Sequence, residues 1–338
     1  MRITTIGIDL AKVVFQIHGV DERGKMAVRK QLKRAEMSVY FANLEPCLIG
    51  MEACGSAHHW ARKLAGYGHT VKLMAPQFVK PYVKTNKNDI ADAEAICEAV
   101  SRPNMRFVQI KSAEQQVMQA EHRIRARLIK ARTALGNEIR GLLGEFGIAL
   151  PVSLANLRRA IPELLEDAEN GLLMDFRRLL KLLGDELREL DDNIKHYDAR
   201  IAQNAKEDER IKRLLAVEGI GPVVASALVS AVGNGKQFSK GRDMAAWLGL
   251  TPNQHSSGGK NRLGHISKRG DKYVRMMLIH GARAALKAAE NKTDGRSRWV
   301  TGLAKRRNKN IATVALANKN ARIAWSILSR EETYRVAD

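Results

Sequence analysis

The chain has 338 residues and carries 57 Lys and Arg against 36 Asp and Glu, which gives a formal net charge of +21. This length accommodates two or three domains, each with its own core. Such an excess of positive charge repels itself unless the protein binds a polyanion, so nucleic acid is the expected partner. Ribosomal and membrane-surface proteins can be equally basic, and the charge says nothing about chemistry.

The cysteines and the apolar segments indicate the compartment. Cys47, Cys54 and Cys97 are an odd number and none is spaced as in a zinc site, which favours a reducing cytoplasm. The N-terminus leads directly into a predicted strand and shows no secretory signal. The least charged stretch, Gly219 to Gly235, is short and broken by Gly and Pro. We therefore expect a cytoplasmic protein without a membrane segment.

The first hundred residues predict strands that alternate with helices. Predicted strands are Ile3 to Asp9, Val13 to Val20, Met26 to Leu32, a run that ends at Glu52, and Thr70 to Met74. Helices are predicted up to Ala42, from about His58 to Gly66, and around Asp89 and Asp92. Three hairpin-linked strands followed by alternating helices and strands is the order of a ribonuclease H-like fold. We predict such an α/β domain over residues 1–111.

Four carboxylates in this region are candidates for a metal site. Asp9 and Glu52 each end an apolar strand, while Asp89 and Asp92 are three residues apart and share one face of a helix. Acids brought this close repel each other unless a cation neutralises them. The pattern therefore predicts bound metal, although a solvated helix face would also account for Asp89 and Asp92.

The period of the apolar residues changes near Ser112, and residues 112–209 predict a long helical region. Apolar residues recur at steps of three, four or seven, which places them on one face of a helix. The first such stripe is Val117, Ile124, Leu128, Ala131, Leu135, Ile139, Leu142 and Phe146. The second stripe is Phe176, Leu179, Leu183, Leu187, Leu190, Ile194, Tyr197 and Ile201. Pro151 and Pro162 are expected to interrupt the helices between them. An antiparallel helical hairpin, an intermolecular coiled coil and a plain helical bundle all satisfy both stripes.

Residues 210–330 predict a mainly helical domain that opens with a helix-hairpin-helix. Gly219 and Gly221 permit a tight turn, and Pro222 suits the first position of the next helix. Backbone N–H groups at such a turn can hold a phosphate, but the turn can also be purely structural. Near the C-terminus, Lys305 to Arg322 predicts a basic loop leading into a helix, either a phosphate clamp or a solvated basic face. Trp299 and Trp325 are interpreted as core residues.

The segment from Gly249 to Gly270 is glycine-rich, basic and almost free of acidic residues. Such a loop can approach a nucleic-acid backbone closely, and its candidate phosphate-binding cations are Lys260, Arg262, Lys268 and Arg269. The segment contains two adjacent serines and no obvious general base. Taken alone, Ser-Gly in a loop is usually turn chemistry.

Several short motifs together resemble one family. They are Gly7 to Lys12, Met51 to Ala53, Asn88 to Ala93, Gly219 to Gly221, and Gly249 to Pro252 followed by Ser257-Gly258. In this order they resemble the DEDD transposases of insertion sequences, the IS110 family, which also includes the Piv DNA invertase. The string from Gly249 to Gly270 is most similar to the IS1111 branch, and the resemblance spans nearly the whole chain.

The resemblance implies a mechanism and its residues. A RuvC-like domain would supply Asp9, Glu52, Asp89 and Asp92 as ligands of Mg²⁺, or of Mn²⁺, and the C-terminal domain would supply Ser257 as nucleophile, five residues after Pro252. A covalent phosphoserine link would let strands be exchanged without ATP. The family also implies donor and target DNA, a structured guide RNA, and a dimer or tetramer.

Three functions are therefore considered. The first is a site-specific DNA recombinase and transposase that uses Ser257. The second is a RuvC-like, metal-dependent, structure-selective endonuclease in which water is the nucleophile. The third is a non-catalytic nucleic-acid-binding protein that relies on the helix-hairpin-helix and the coiled coil.

Overall fold

The computed structural model describes residues 2–84 and 88–335 and has a mixed α/β architecture. The chain divides into two compact units, residues 1–113 and 114–338. The N-terminal unit contains the central sheet, and the C-terminal unit is mainly helical. The three-part division at residues 111 and 209 stays a prediction.

The N-terminal unit is built on a six-stranded sheet in the order β3-β2-β1-β4-β5-β6. Its strands are β1 (Thr5–Leu10), β2 (Val14–Val20), β3 (Met26–Lys33), β4 (Leu48–Glu52), β5 (Thr70–Met74) and β6 (Phe107–Val108). The first three strands pair antiparallel, β1, β4 and β5 run parallel, and β6 returns antiparallel. The mixed α/β class predicted for this region is therefore confirmed, with strand bounds within two residues of those predicted for β1 to β5.

Four α-helices accompany the sheet within the described residues of this unit. They are α1 (Met37–Ala42), α2 (Ala57–Ala65), α3 (Pro76–Val79) and α4 (Asp89–Val100). A buried cluster that includes Ile8, Phe15, Ile49 and Trp60 lies between the sheet and α1 and α2. The middle residues of β1, β2 and β4 are all buried, without alternation. Because successive side chains of a strand point to opposite faces, both faces of the sheet are covered there.

The C-terminal unit contains nine helices and a short hairpin within the residues that the structure describes. The helices are α5 (Ala113–Glu145), α6 (Leu154–Glu166), α7 (Met174–Glu207), α8 (Glu209–Leu215), α9 (Pro222–Val232), α10 (Gly241–Trp247), α11 (Lys272–Ala289), α12 (Gly295–Arg306) and α13 (Lys309–Arg330). The hairpin consists of β7 (Pro252–Gln254) and β8 (Leu263–Ile266). None of these helices, nor those of the sheet unit, is apolar over enough length to cross a bilayer.

Helices α5 and α7 are joined side by side through charged side chains within one chain. Arg200 contacts Glu121 at 2.6 Å and Arg125 contacts Asp198 at 2.5 Å. Further along α5, Arg132 contacts Asp191 at 2.9 Å. Because the partner numbers fall as the α5 numbers rise, the two helices run antiparallel. Among the described residues α5 and α7 form an antiparallel hairpin, and α6 packs with both helices in one apolar cluster, as in a helical bundle. An intermolecular coiled coil stays a prediction.

Two expectations for this helical region are wrong. Leu142 is 39% exposed and Leu179 is 56% exposed, whereas their neighbours Leu143 and Leu180 are buried, so the true apolar faces are offset by one residue at these positions. Pro162 does not interrupt a helix but lies inside α6. It is exposed, so α6 can keep Leu157 in the apolar cluster despite the missing hydrogen-bond donor.

One of the two glycines in the turn between α8 and α9 is required by a close backbone contact. Gly219 has a φ of +82°, and a Cβ there would lie 2.8 Å from the carbonyl oxygen of Gly281 in α11. Only glycine allows this close approach of the two backbones. Gly221 precedes α9, is exposed, and has open space around its Cα. Phosphate contact at this turn stays a prediction.

Candidate functional site

Asp9 and Glu52 lie at the same edge of the central sheet because their strands are parallel neighbours. Ile8 of β1 is aligned with Met51 of β4, so the next aligned pair is Asp9 and Glu52. Adjacent strands are separated by about 4.8 Å, which makes these two carboxyl-bearing residues close neighbours. Both side chains are partly exposed, unlike the buried residues that precede them.

Helix α4 covers the face of the sheet to which both acids belong. A Cβ on Gly7 would lie 2.2 Å from the carbonyl oxygen of Ala93, and a Cβ on Gly50 would lie 2.7 Å from the Cβ of Val100. Residues two apart on a strand face the same side. Asp9 follows Gly7 by two residues and Glu52 follows Gly50 by two, so both acids share the face covered by α4.

The direction of α4 brings its first turn toward the same edge. The Sγ atom of Cys97 donates a weak hydrogen bond to the carbonyl oxygen of Thr5 at 3.7 Å, and Ala93, one turn earlier, lies over Gly7. The helix therefore runs antiparallel to β1. Its first turn, which carries Asp89 and Asp92, extends toward the end of β1 that carries Asp9.

Asp9 and Glu52 therefore lie at one edge and on one face of the sheet, and the first turn of α4, with Asp89 and Asp92, extends toward that edge. Their carboxylate oxygens are the hard ligands that Mg²⁺ and Mn²⁺ accept. Within residues 2–84 and 88–335, no three His, Cys, Asp or Glu side chains lie close enough to hold a metal ion together. The donor set fits a divalent cation, while the compact ligand cluster expected from the sequence stays a prediction.

The charges of Asp9 and Glu52 both affect the pKa of the same side chain, the thiol of Cys54. Desolvation raises the pKa of the Cys54 thiol, and the negative charges of Glu52 and Asp9 raise that pKa further. The neighbouring His58 has a structural role, because its Nδ1 accepts a hydrogen bond from the backbone N–H of Lys111 at 3.2 Å. Burial, followed by the charges of Lys111 and Arg62, lowers the pKa of His58 to about 4.

A separate candidate site in the C-terminal unit is the β7–β8 hairpin, whose tip carries the two serines. Gly258 and Gly259 have φ values of +56° and +75°, and the N–H of Lys260 donates to the carbonyl oxygen of Ser257 at 3.1 Å. Positive φ at both central residues is the geometry of a type I′ hairpin turn, which requires Gly-Gly or a similar pair. Ser257 is thus the first residue of the turn at the tip.

The two serines have different environments. The Oγ atom of Ser256 accepts hydrogen bonds from the Nε2 of Gln254 at 2.9 Å and from the backbone N–H of Arg262 at 3.2 Å. Ser257 is exposed, and its Oγ makes no hydrogen bond with any residue that the structure describes. Ser256 therefore stabilises the hairpin, and the Ser257 hydroxyl is available to a substrate.

The base of this hairpin is held by close backbone contacts. A Cβ on Gly249 would lie 2.5 Å from the backbone nitrogen of Arg269, and a Cβ on Gly270 would clash with the carbonyl oxygen of Trp247. The guanidinium of the buried Arg275 in α11 donates to the carbonyl oxygens of Leu248 and Arg269, one on each side of the hairpin. Sequence reasoning missed Arg275. Its one signal in the sequence is an arginine between two apolar residues, Val274 and Met276.

The cations expected to bind phosphate surround this hairpin. Lys260, Arg262, Lys268 and Arg269 are all exposed. None of them forms an ion pair with another residue in the described part of the chain. Their charges are therefore available to an anionic partner.

Comparison with known proteins relates both parts of the chain to transposases. Residues 6–148 match the model of the DEDD transposases of IS110, described as "Transposase", and residues 211–297 match "Transposase IS116/IS110/IS902 family". The chain is 56% identical to the "Probable family 20 transposase" of Pseudomonas aeruginosa, over 99% of both chains. It is 46% identical to the "Transposase for insertion sequence element IS1111A" of Coxiella burnetii, over 98% of this chain and 92% of that protein. It is 41% identical to the "Transposase for insertion sequence element IS1328" of Yersinia enterocolitica, over 97% and 98%.

Proposed function

The chain belongs to the IS110 family of insertion-sequence transposases, enzymes that cut and rejoin DNA, and on this premise we propose that it does so through a Ser257 nucleophile and a divalent metal ion. The observation that supports this proposal most is that Asp9 and Glu52 lie on neighbouring parallel strands, on the face covered by α4, whose first turn carries Asp89 and Asp92. In the proposed function these acids hold Mg²⁺, with Mn²⁺ as a substitute.

The acids and the serine act on the same phosphodiester in this proposal. The Ser257 oxygen bonds to phosphorus while the bond from phosphorus to one sugar oxygen breaks. The serine hydroxyl loses its proton, and the sugar oxygen ends as a hydroxyl. The cation would neutralise charge on the phosphate during this exchange. The resulting phosphoserine ester can be attacked by a sugar hydroxyl, so strands are rejoined without ATP.

The hairpin supports the choice of Ser257 over Ser256. The Ser256 hydroxyl is committed to Gln254 and to the backbone of Arg262, so its use as a nucleophile would break two hydrogen bonds. Ser257 has no such cost. The contacts of Gly249, Gly270 and Arg275 fix the base of the hairpin, which limits the positions that the tip can adopt.

The partners in the proposed function are donor DNA, target DNA and a structured guide RNA. Exposed Lys260, Arg262, Lys268 and Arg269, the backbone around Gly219 and Gly221, and the net charge of +21 support binding of polyanions. One serine cuts one strand, so two cuts in each of two duplexes require several copies of the chain. We therefore propose a dimer or tetramer, with the helical region as a candidate coiled coil.

A denaturing gel tests the proposal. Purified protein, candidate RNA, Mg²⁺ and labelled junction DNA are incubated, and the labelled DNA is expected to shift as a covalent protein adduct. Ser257→Ala abolishes the adduct, while Ser256→Ala retains it at a reduced level because only the hairpin is weakened. Asp9→Asn abolishes cleavage and leaves DNA binding intact.

Other outcomes favour the other functions. Cleavage that survives in Ser257→Ala with no adduct in the unmodified protein indicates a RuvC-like endonuclease that uses water. Loss of the adduct in Ser256→Ala alone would move the nucleophile by one residue. No cleavage with any divalent cation, together with no binding of Mn²⁺, would leave a non-catalytic nucleic-acid-binding protein.

A further inference from the structure

A large groove lies beside the serine hairpin in the C-terminal unit. Its volume is about 1300 Å³, and one wall is formed by the hairpin itself, through Pro252 and Ile266. The floor is one face of α13, where Ile311, Val314 and Ala315 recur at helical spacing. The groove is therefore mostly apolar, and one of its walls belongs to the same two strands that carry Ser257.

The rim of this groove is strongly cationic. Five positively charged residues line it, namely Lys240, Arg242, Lys268, Lys319 and Arg322. No Asp or Glu is among the lining residues. In the described part of the chain, none of the five forms an ion pair. An uncompensated positive rim around an apolar floor is complementary to a ligand with anionic and apolar parts.

The aromatic side chain of Trp299 lines this groove. Trp299 of α12 is 37% exposed, so its interpretation as a core residue is wrong. The Nζ atom of Lys319 lies 4.6 Å from the centroid of its ring, a cation–π contact. Trp325 lines the groove too, but its Nε1 donates to the carbonyl oxygen of Phe238 at 3.1 Å, which fixes that ring in place. Trp299 has the more accessible ring.

We propose that this groove binds unpaired nucleotides, with bases against the apolar floor and the Trp299 ring and with phosphates on the cationic rim. A duplex keeps its bases stacked inside and would offer the floor nothing apolar to contact. Aromatic faces and cations in one groove are the combination that binds single strands. The inference rests on the proposed function and adds to it that DNA next to the serine hairpin is held locally melted.

Fluorescence anisotropy in EDTA tests binding without any cutting. The probes are a labelled single-stranded DNA, a duplex of the same sequence, and an abasic strand of equal length, which keeps the phosphates and lacks the bases. The unmodified protein is expected to bind the single strand about tenfold more tightly than the abasic strand. Trp299→Leu should remove that preference, and Trp299→Phe should retain it, because an aromatic face is still present.

The rim and the floor are tested separately. Arg242→Gln combined with Arg322→Gln should weaken both strands alike and reduce the salt dependence by a slope of about 1.4, or 0.7 for each phosphate. Lys287→Gln, an exposed cation of α11 outside the groove, is the matched control and should preserve the base preference. Ala315→Leu fills the floor and should weaken the single strand more than the abasic strand. Thermal unfolding verifies that each variant is folded.

The proposal is overturned if the single and abasic strands bind equally well, or if Trp299→Leu and Ala315→Leu leave the preference unchanged. Self-association that Ala315→Leu abolishes, with no base preference, would assign the groove to a second copy of the chain instead. Because the assay contains no divalent cation, its result does not depend on whether Ser257 forms an adduct.

Discussion

The guanidinium of Arg275 donates a hydrogen bond to the carbonyl oxygen of Leu248 at 3.0 Å, and the arginine is only 8% exposed. The same nitrogen donates to the carbonyl oxygen of Arg269 at 2.6 Å. One buried cation therefore holds the entry and the exit of the serine hairpin together. The base of the hairpin that carries Ser257 is therefore fixed by a residue of α11, outside the hairpin itself.

Arg275→Met should destabilise the protein and reduce formation of the serine adduct. The apolar side chain leaves the buried carbonyl oxygen of Leu248 and the partly buried one of Arg269 without their donor, which costs about 3 kcal/mol. The free energy of unfolding in urea and the yield of adduct measure the two effects. Arg283→Met, an exposed arginine on the same helix, is the control and should change neither. Equal effects of the two variants would contradict the role assigned to Arg275.

Gly7→Ala should displace α4 from the sheet. The new Cβ meets the carbonyl oxygen of Ala93 at 2.2 Å, and such overpacking costs about 2 kcal/mol. Because the helix carries Asp89 and Asp92, a shift of about 1 Å is expected to lower DNA cleavage by about a hundredfold. Cleavage rates measured well below the unfolding temperature separate this effect from lost stability.

The matched control is Gly55→Ala, in the same unit. No heavy atom lies within 4 Å of a Cβ at this position, and its φ is not in the left-handed region. We expect a change in stability within about 0.5 kcal/mol and unaltered cleavage. Normal cleavage by Gly7→Ala would show that α4 does not position the acids.

Asp191→Asn should loosen the helical hairpin. Asp191 is buried and accepts hydrogen bonds from Arg132 and Arg158, from 2.5 to 2.9 Å. Burial opposes its ionisation, but the bonds from Arg158 and Arg132 outweigh burial and lower the pKa of Asp191. Removal of the charge leaves the partly buried Arg132 and the more exposed Arg158 without their charged partner, which costs about 3 kcal/mol.

The neighbouring Asp192 provides the control for this change. It is exposed and pairs only with Lys195 on the same helix among the described residues. Asp192→Asn should therefore alter stability by about 0.5 kcal/mol or less. Circular dichroism during urea unfolding checks both variants, and a similar loss in both would refute the importance of the buried pair.

His122 should make the C-terminal unit sensitive to acid. Its ring is 2% exposed and lies between the Tyr273 hydroxyl and the Ser226 hydroxyl, each at 3.1 Å. Burial, followed by the charge of Arg125, lowers the pKa of His122 from 6.5 to about 4. Between these values the unfolded chain binds a proton that the folded chain does not, so stability falls as pH falls.

The expected loss from this histidine is about 2 kcal/mol between pH 7.5 and pH 5. Urea unfolding at both pH values measures it. His122→Gln should be less stable at pH 7.5 but show a smaller decrease on acidification. His280→Gln, an exposed histidine of α11, should keep the full decrease. An unchanged pH dependence in His122→Gln would contradict the assignment.

The sheet could be predicted from the sequence because its signals are local. Thr70–Met74 has the predicted bounds, since a short β-prone run ends where Ala75-Pro76 cannot continue it. Asp9 and Glu52 could be placed at strand ends for the same reason. Their alignment required the parallel pairing of β1 with β4, which residue patterns indicate only through the resemblance.

The buried faces of the long helices, the continuity of α6 and the exposure of Trp299 could not be predicted, because they depend on contacts between residues distant in the sequence. Where two leucines are adjacent, as at Leu142-Leu143, either one fits the spacing of an apolar stripe on a helix. Packing against α6 and α7 determines which of the two is buried. Pro162 costs a helix about 3 kcal/mol in isolation, which the buried face of α6 offsets. Trp299 looked like core because exposure of an aromatic ring depends on the neighbouring helix and hairpin.

The closed base of the serine hairpin has a consequence for protein engineering. Because Gly249 touches Arg269 and Gly270 touches Trp247, the segment leaves and re-enters the helical unit at nearly one point. Chain ends this close together impose little strain on a segment of similar length inserted between them. The helical unit should therefore tolerate exchange of this segment for the equivalent segment of a relative, provided that the buried Leu250 and the backbone acceptors of Arg275 are kept.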